Sequence, residues 1–273
     1  MKKLIKNILL TTLSALALTS CGESKTDANT INVGVMTGPE FEVAQIAKQV
    51  AKEKYNLEVE LITFNDYIIP NEALNQGDLD VNAYQTVPFL EEQEKQRGYK
   101  LEPIGNTFLY PIVGYSKKIK SINELKEGNT IAIPNDPANG GRSLLLLQKI
   151  GLIKLKDGVG LFPKLTDIVS NPKKLEILEL EAPQLPRVLD DEKVAISVIN
   201  NNFAGQAGLD AKKQGIFTED KESPYVNIIV SREDNKNDEK VKKFVQAYQS
   251  EQVVKKADEV FKGGAIKLSL IHI

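Results

Sequence analysis

The chain is predicted to be an α/β protein built in two cycles of strand and helix, on three observations. Apolar residues alternate with polar ones in short runs: Val33 and Val35 do so over 31–36, and Leu57, Val59 and Leu61 alternate with Glu58 and Glu60. Between these runs apolar residues recur at helical spacing, as Val43, Ile46, Ala47, Val50 and Ala51 do. The same alternation then restarts near Ser116. Strands that alternate with helices in this way indicate a mostly parallel sheet flanked by helices.

The first cycle opens with a strand over 31–36, broken by Thr37-Gly38-Pro39, and a helix carries 43–51. A strand over 57–61, a helix over 71–76, a short strand over 80–83 and a charged helix over 87–96 ending at Gly98 complete it. In the second cycle, Ser121-Ile122-Asn123-Glu124 has the capping-box pattern of a short helix. A strand over 130–133 follows, and Gly140-Gly141-Arg142 opens an apolar helix over 143–150. Strands over 175–180, 194–199 and 226–230 and closing helices over 238–248 and 251–261 complete the reading, with no internal repeat. Two cycles predict two lobes, 31–113 with 226–267 as lobe 1 and 114–225 as lobe 2. Extended chain near 110–116 and 221–226 crosses between them, and a double crossing makes a hinge.

The N-terminus carries an address. Lys2, Lys3 and Lys6 precede an 11-residue apolar run over 8–18. A membrane-spanning helix needs about 20 apolar residues, so this run fits a secretory signal over 1–20 instead. Leu18-Thr19-Ser20-Cys21 resembles a bacterial lipobox, and Cys21 is the chain's only cysteine. Lipidation at Cys21 would place the mature protein outside the cytoplasm on a membrane anchor, with 21–30 as a polar tether.

Composition narrows the function. With 35 basic and 37 acidic residues the net charge is -2, so no bulk field favours nucleic acid. The single histidine, His272, lies one residue from the C-terminus. No His, Cys and carboxylate cluster is available for zinc, and a Ser-His-Asp triad would have to recruit that terminal residue. The sequence thus predicts neither an enzyme nor a cofactor.

Arginine occurs only at positions 97, 142, 187 and 232, so lysine carries the generic surface charge. Arg142 follows the turn-rich Asn135-Asp136-Pro137-Ala138-Asn139-Gly140-Gly141. Glycines there admit a close ligand, a helix start favours an anion, and a guanidinium can hold a carboxylate bidentately. A helix start with one surface arginine is the other reading. Phe64, Tyr67 and Tyr84 fall at or just past predicted strand ends, where α/β sheets place ligand crevices. They are either core residues or a cage for an apolar or thioether side chain. Asn200 ends one strand and Asn227 lies within another, and each needs a partner if buried. Asn200-Asn201-Asn202 also fits a turn.

Together these segments resemble the methionine-binding lipoproteins of bacterial ABC importers, within the NlpA-type lipoprotein family. The resemblance runs from the lipobox to about Gly264. It is carried by Phe64-Asn65-Asp66-Tyr67, Pro70-Asn71-Glu72-Ala73-Leu74, Pro134-Asn135-Asp136-Pro137, Gly141-Arg142-Ser143-Leu144, Glu181-Ala182-Pro183-Gln184-Leu185-Pro186-Arg187, Val198-Ile199-Asn200 and Ser223-Pro224-Tyr225-Val226-Asn227. It implies a two-lobed periplasmic substrate-binding fold of type II-like form, each lobe a mixed sheet flanked by helices. It implies that Arg142 holds the ligand carboxylate, Asn200 and Asn227 its other backbone groups, and Tyr67 and Tyr84 its side chain. Where the family reads Phe-Gln-His-Lys-Pro-Tyr, this chain reads Tyr84-Gln85-Thr86-Val87-Pro88-Phe89. Thr86 therefore replaces a pocket histidine, and Tyr84 brings an additional phenol. The family's terminal Gly-Trp is replaced by 268–273, which reads as a misjoined frame without a role.

The expected function is capture of L-methionine, or a close relative, outside the cytoplasm and delivery to an ABC permease and its ATPase subunit. The alternatives are a binder of D-methionine, a methionine derivative or another apolar amino acid, and a surface adhesion lipoprotein with a vestigial pocket.

Overall fold

The computed structural model describes residues 29–262 and 264–267. The signal segment, Cys21, most of the tether, and the tail over 268–273 with His272 lie outside the described residues. Strand β1 (Thr30–Met36) leads into helix α1 (Pro39–Tyr55), then β2 (Glu58–Phe64), α2 (Ile69–Gln76), β3 (Val81–Thr86), α3 (Val87–Arg97) and β4 (Leu101–Leu109). After a crossing at 110–112 come β5 (Val113–Tyr115), β6 (Thr130–Pro134), α4 (Pro137–Lys149), β7 (Lys154–Leu155), β8 (Ile168–Ser170) and β9 (Glu176–Leu180). Then follow β10 (Val194–Ile199), α5 (Asn201–Gln206), α6 (Ala211–Gln214) and β11 (Gly215–Thr218). A second crossing at 219–225 returns the chain to β12 (Val226–Arg232), α7 (Glu239–Tyr248), α8 (Glu251–Val260) and β13 (Ile266–Lys267).

The strands form two principal sheets, ordered β13-β4-β12-β3-β1-β2 and β11-β5-β10-β6-β9. In the first, β1 pairs in parallel with β2 and β3, whereas β12 runs antiparallel to β3 and β4. In the second, β6 pairs in parallel with β9 and β10, and β5 is antiparallel to β10 and β11. Both sheets are therefore mixed, because each is completed by a strand that arrives from, or departs to, the other. Val113, placed by sequence at the end of lobe 1, pairs with Ile199 in the second sheet.

Each sheet has its own core. Helix α1 buries Val43, Ala44, Ala47, Val50 and Ala51 against β1, β2, α7 and α8. The second core gathers Ile131, Ile133, Leu144, Leu147 and Ile196. A third cluster draws on both sheets, with Met36 and Tyr84 from one and Val113, Tyr115, Ala132 and Ile199 from the other. It joins the two sheet units beside the cavity described next.

The short elements β7, β8, α5, α6, β11 and β13 are absent from the sequence reading, and two further departures from it have a clear local cause. Strand β4 is absent from it because Pro103, Gly105 and Asn106 interrupt the apolar alternation, and bulges against β12 absorb them. Helix α4 starts at Pro137, six residues before the expected start at Ser143. Asp136 caps it, its carboxylate accepting the Asn139 N–H at 2.8 Å, with proline at the first helical position. That start outcompetes the glycine pair.

Candidate functional site

A cavity between the sheets is lined by Tyr67, Tyr84, Thr86, Arg142, Asn200 and Asn227, all expected from the sequence. Glu40, Gln85, Phe89, Tyr110, Asn139, Asn201 and Asn202 complete the lining and were not expected there. Phe64 is not among the lining residues. It ends β2 and packs with Leu79 over Gly34, where an added Cβ would lie 3.2 Å from its ring.

One end of the cavity is aromatic. The Tyr67 ring lies 5.8 Å from Tyr84, 6.0 Å from Phe89 and 4.9 Å from Phe203. The hydroxyl of Tyr84 donates to the Tyr67 carbonyl at 2.8 Å. The additional phenol is thus satisfied within the protein. Thr86 also has a structural duty. As the N-cap of α3 its hydroxyl accepts the Phe89 N–H at 3.4 Å.

The other end is polar, and its side chains are oriented by partners behind them. Asp136 accepts both the backbone and the side-chain N–H of Asn139. Asn139 Oδ1 then accepts the Asn200 Nδ2 proton at 2.8 Å, which fixes the Asn200 amide and leaves its Oδ1 buried without a hydrogen bond. Asn227 is held by donating to the Tyr84 carbonyl at 2.9 Å. Glu40 Oε2, the Tyr110 hydroxyl and both amide atoms of Asn202 are likewise buried and unpartnered. An unpaired buried polar group costs about 1–3 kcal/mol, so several around one cavity signal a polar ligand.

Arg142 already has partners within the protein. Its Nε donates to Glu219 Oε1 at 3.0 Å and its Nη2 to Glu219 Oε2, so the bidentate edge is engaged within the protein. Nη2 also donates to the Tyr110 carbonyl at 3.0 Å, and the Tyr225 ring lies 4.6 Å beneath the guanidinium. Arg142 sits in the second turn of α4, not at its start, so the helix terminus contributes no anion site beside it. The glycines before it serve packing: a Cβ on Gly140 would stand 2.7 Å from the Pro134 carbonyl, and one on Gly141 2.7 Å from that of Leu161. Only Nη1 remains outside these bonds.

Burial dominates the titration of the site. It raises the phenols of Tyr67, Tyr84 and Tyr110 well above their ordinary range, so all three are neutral. It raises the Glu40 carboxyl well above the carboxylate range, and it raises Asp136 despite the Asn139 bonds that oppose the shift. Among the described residues no His, Cys, Asp and Glu group could hold a metal, and no helix is long and apolar enough to cross a membrane.

Glu40 and Asn202 escaped the sequence reading for different reasons. A glutamate in a helix's first turn is ordinary, and only burial distinguishes it. Asn202 was visible within the asparagine triplet, where the turn reading competed.

Two mixed sheets, crossed twice by the chain and facing one polar and aromatic cavity, are the architecture of periplasmic substrate-binding proteins. Residues 31–269 match the sequence profile of the NlpA lipoprotein family, and the chain belongs to that family. It is 63% identical over 255 residues to the D-methionine-binding lipoprotein MetQ of Escherichia coli (strain K12), covering 93% of this chain and 94% of that one. A crystal structure of the methionine binding protein MetQ superposes with a TM-score of 0.87 at 64% identity, covering 89% of this chain and 99% of that one. A nutrient binding protein from Burkholderia cenocepacia bound to methionine superposes with a TM-score of 0.84 at 49% identity, covering 86% and 98%.

Proposed function

We propose that this chain captures methionine outside the cytoplasm and delivers it to an ABC permease and its ATPase subunit, held at a membrane by lipid on Cys21. The role is binding rather than catalysis. The observation that carries the reading is a cavity aromatic at one end and lined at the other by unpartnered buried donors and acceptors. A thioether suits the rings, because sulfur contacts aromatic faces and edges favourably. A zwitterionic backbone suits the other end. Asn200 Oδ1 accepts from an ammonium, while Asn202 Nδ2 and Arg142 Nη1 donate to a carboxylate. Arg142 therefore meets the ligand through one nitrogen, with Glu219 holding the rest of the fork in place. Asn227 lines the same cavity.

L-methionine is the primary reading. D-methionine is the second, favoured by the name of the Escherichia coli relative. A calorimetric titration with L-methionine, D-methionine and leucine separates them. Tight binding of either methionine and much weaker binding of leucine is the expected result. Binding of leucine as tight as methionine would exclude a thioether pocket, and no heat with any of the three would leave the adhesion reading.

A further inference from the structure

We propose that Glu40 receives the α-ammonium group of the bound amino acid and gives up a proton to solvent as it does so. This deepens the functional reading above and rests on it. Glu40 is the second residue of α1, and it reaches the cavity because Gly38 turns the chain between β1 and α1. That glycine has φ 87° and ψ -141°, a conformation essentially reserved for glycine. Pro39 then starts the helix and points the next side chain inward. Glu40 is 3% exposed, lines the cavity, and its Oε2 accepts no hydrogen bond from the protein.

The surroundings of Glu40 supply no compensating charge. Tyr67 from the β2–α2 loop, Tyr110 from the first crossing and Tyr248 from α7 sense its charge, and burial keeps each phenol neutral. Arg142 is the cation lining the same cavity, and Glu219 already neutralises it. Lys256 of α8 pairs with Glu42, two residues along α1 from Glu40. The charge of Asp136 acts on Tyr67 and Tyr84. A buried carboxyl with no cation beside it keeps its proton, and the buried position itself favours the neutral form. An arriving ammonium changes that balance by placing a positive charge against the carboxylate. The step balances as a carboxylic acid and an ammonium becoming a carboxylate–ammonium pair, with one proton released to water. The amide oxygen of Asn200 can accept from the same ammonium, but a neutral amide cannot release a proton.

The test is a calorimetric titration of wild type, Glu40→Gln and Glu40→Asp near neutral pH, in phosphate and in Tris. These buffers differ in ionisation heat, so the difference in enthalpy counts protons. The ligands are the methionine enantiomer that binds wild type and 4-(methylthio)butanoate, the same molecule without its ammonium. Wild type should release up to one proton with methionine and none with the deaminated acid. Glu40→Gln should release none and lose about 10- to 150-fold in methionine affinity, the range for a hydrogen bond to a charged group. Its affinity for the deaminated acid should change by less than about threefold. Glu40→Asp should retain part of the proton release, which a merely space-filling role would not require. Equal enthalpies for wild type in both buffers, or methionine binding by Glu40→Gln within about threefold of wild type, would overturn the proposal. Wild type that binds neither enantiomer would instead defeat the functional reading beneath it.

Discussion

At the scale of single residues, Arg142 joins the cavity wall to the integrity of the crossings. Its guanidinium ties α4 to Tyr110 in one crossing and to Glu219 in the other, and Glu219 is further held by the Ser223 hydroxyl and the Ile112 N–H. The pair is 3% and 11% exposed, so removing the arginine leaves a carboxylate uncompensated in the interior. Arg142→Ala should therefore lose about 3–5 kcal/mol of stability in urea unfolding as well as ligand affinity. A variant with wild-type unfolding would show that Glu219 has other support. Glu40 makes a different prediction, with a sign that follows from linkage. Burial raises its folded pKa above the unfolded value, so the folded state holds the proton longer as pH rises. The stability it contributes is complete below the ordinary carboxylate range and is lost as pH climbs through the raised folded pKa. Glu40→Gln removes that loss. Its melting temperature should fall less than that of wild type between about pH 5 and about pH 8. Parallel pH profiles for the two proteins would contradict the buried-acid assignment. The sequence announced Arg142, Asn200 and Asn227 because scarce arginine and asparagine within apolar strands are visible in one dimension. Glu219 and Glu40 were illegible because both look like ordinary acids until the fold buries them.

At the scale of elements, α4 and its neighbouring loop place the polar end of the cavity. Gly141 lets the loop at Leu161, Phe162 and Pro163 pass within contact distance of the helix. The Leu161 carbonyl in that loop accepts the Tyr225 hydroxyl at 3.4 Å, and Tyr225 in turn supports Arg142. Gly141→Ala gains up to about 1 kcal/mol of helix propensity. It must also fit a methyl group 2.7 Å from backbone, a form of overpacking that costs about 1–3 kcal/mol. The steric term should win, giving a lower melting temperature and weaker methionine binding through the displaced Tyr225. A stabilised variant with intact binding would show that the loop yields freely. Sequence pattern located α4 but misplaced its start, because the glycine pair mimics a ligand loop while Asp136-Pro137 is the stronger start. The aromatic end was legible in kind but not in detail. Tyr67 and Tyr84 were identified, whereas Phe89 follows the cap at Thr86 and Phe203 comes from the other sheet unit, a proximity no local pattern encodes.

At the scale of the whole molecule, the residues that line the cavity divide between the two sheet units. Glu40, Tyr67, Tyr84, Thr86 and Asn227 come from segments of the first, and Asn139, Arg142, Asn200 and Asn202 from the second. The two-sheet plan was legible because the strand-helix alternation restarts; that the sheets are mixed was legible only through the family resemblance, because pairing partners such as β12 and β3 lie far apart in the chain. A ligand that touches both units binds their closed arrangement preferentially, which stabilises the folded protein through mass action. The most direct measurement is a thermal-shift screen of the purified protein against all standard amino acids and D-methionine. At a thousandfold excess over Kd the stabilisation is about 4 kcal/mol, a rise on the order of 10 °C for a domain of this size. Methionine in one or both configurations should give the largest rise. No rise with methionine, or a larger rise with an amino acid lacking a thioether, would contradict the assignment of this cavity to methionine.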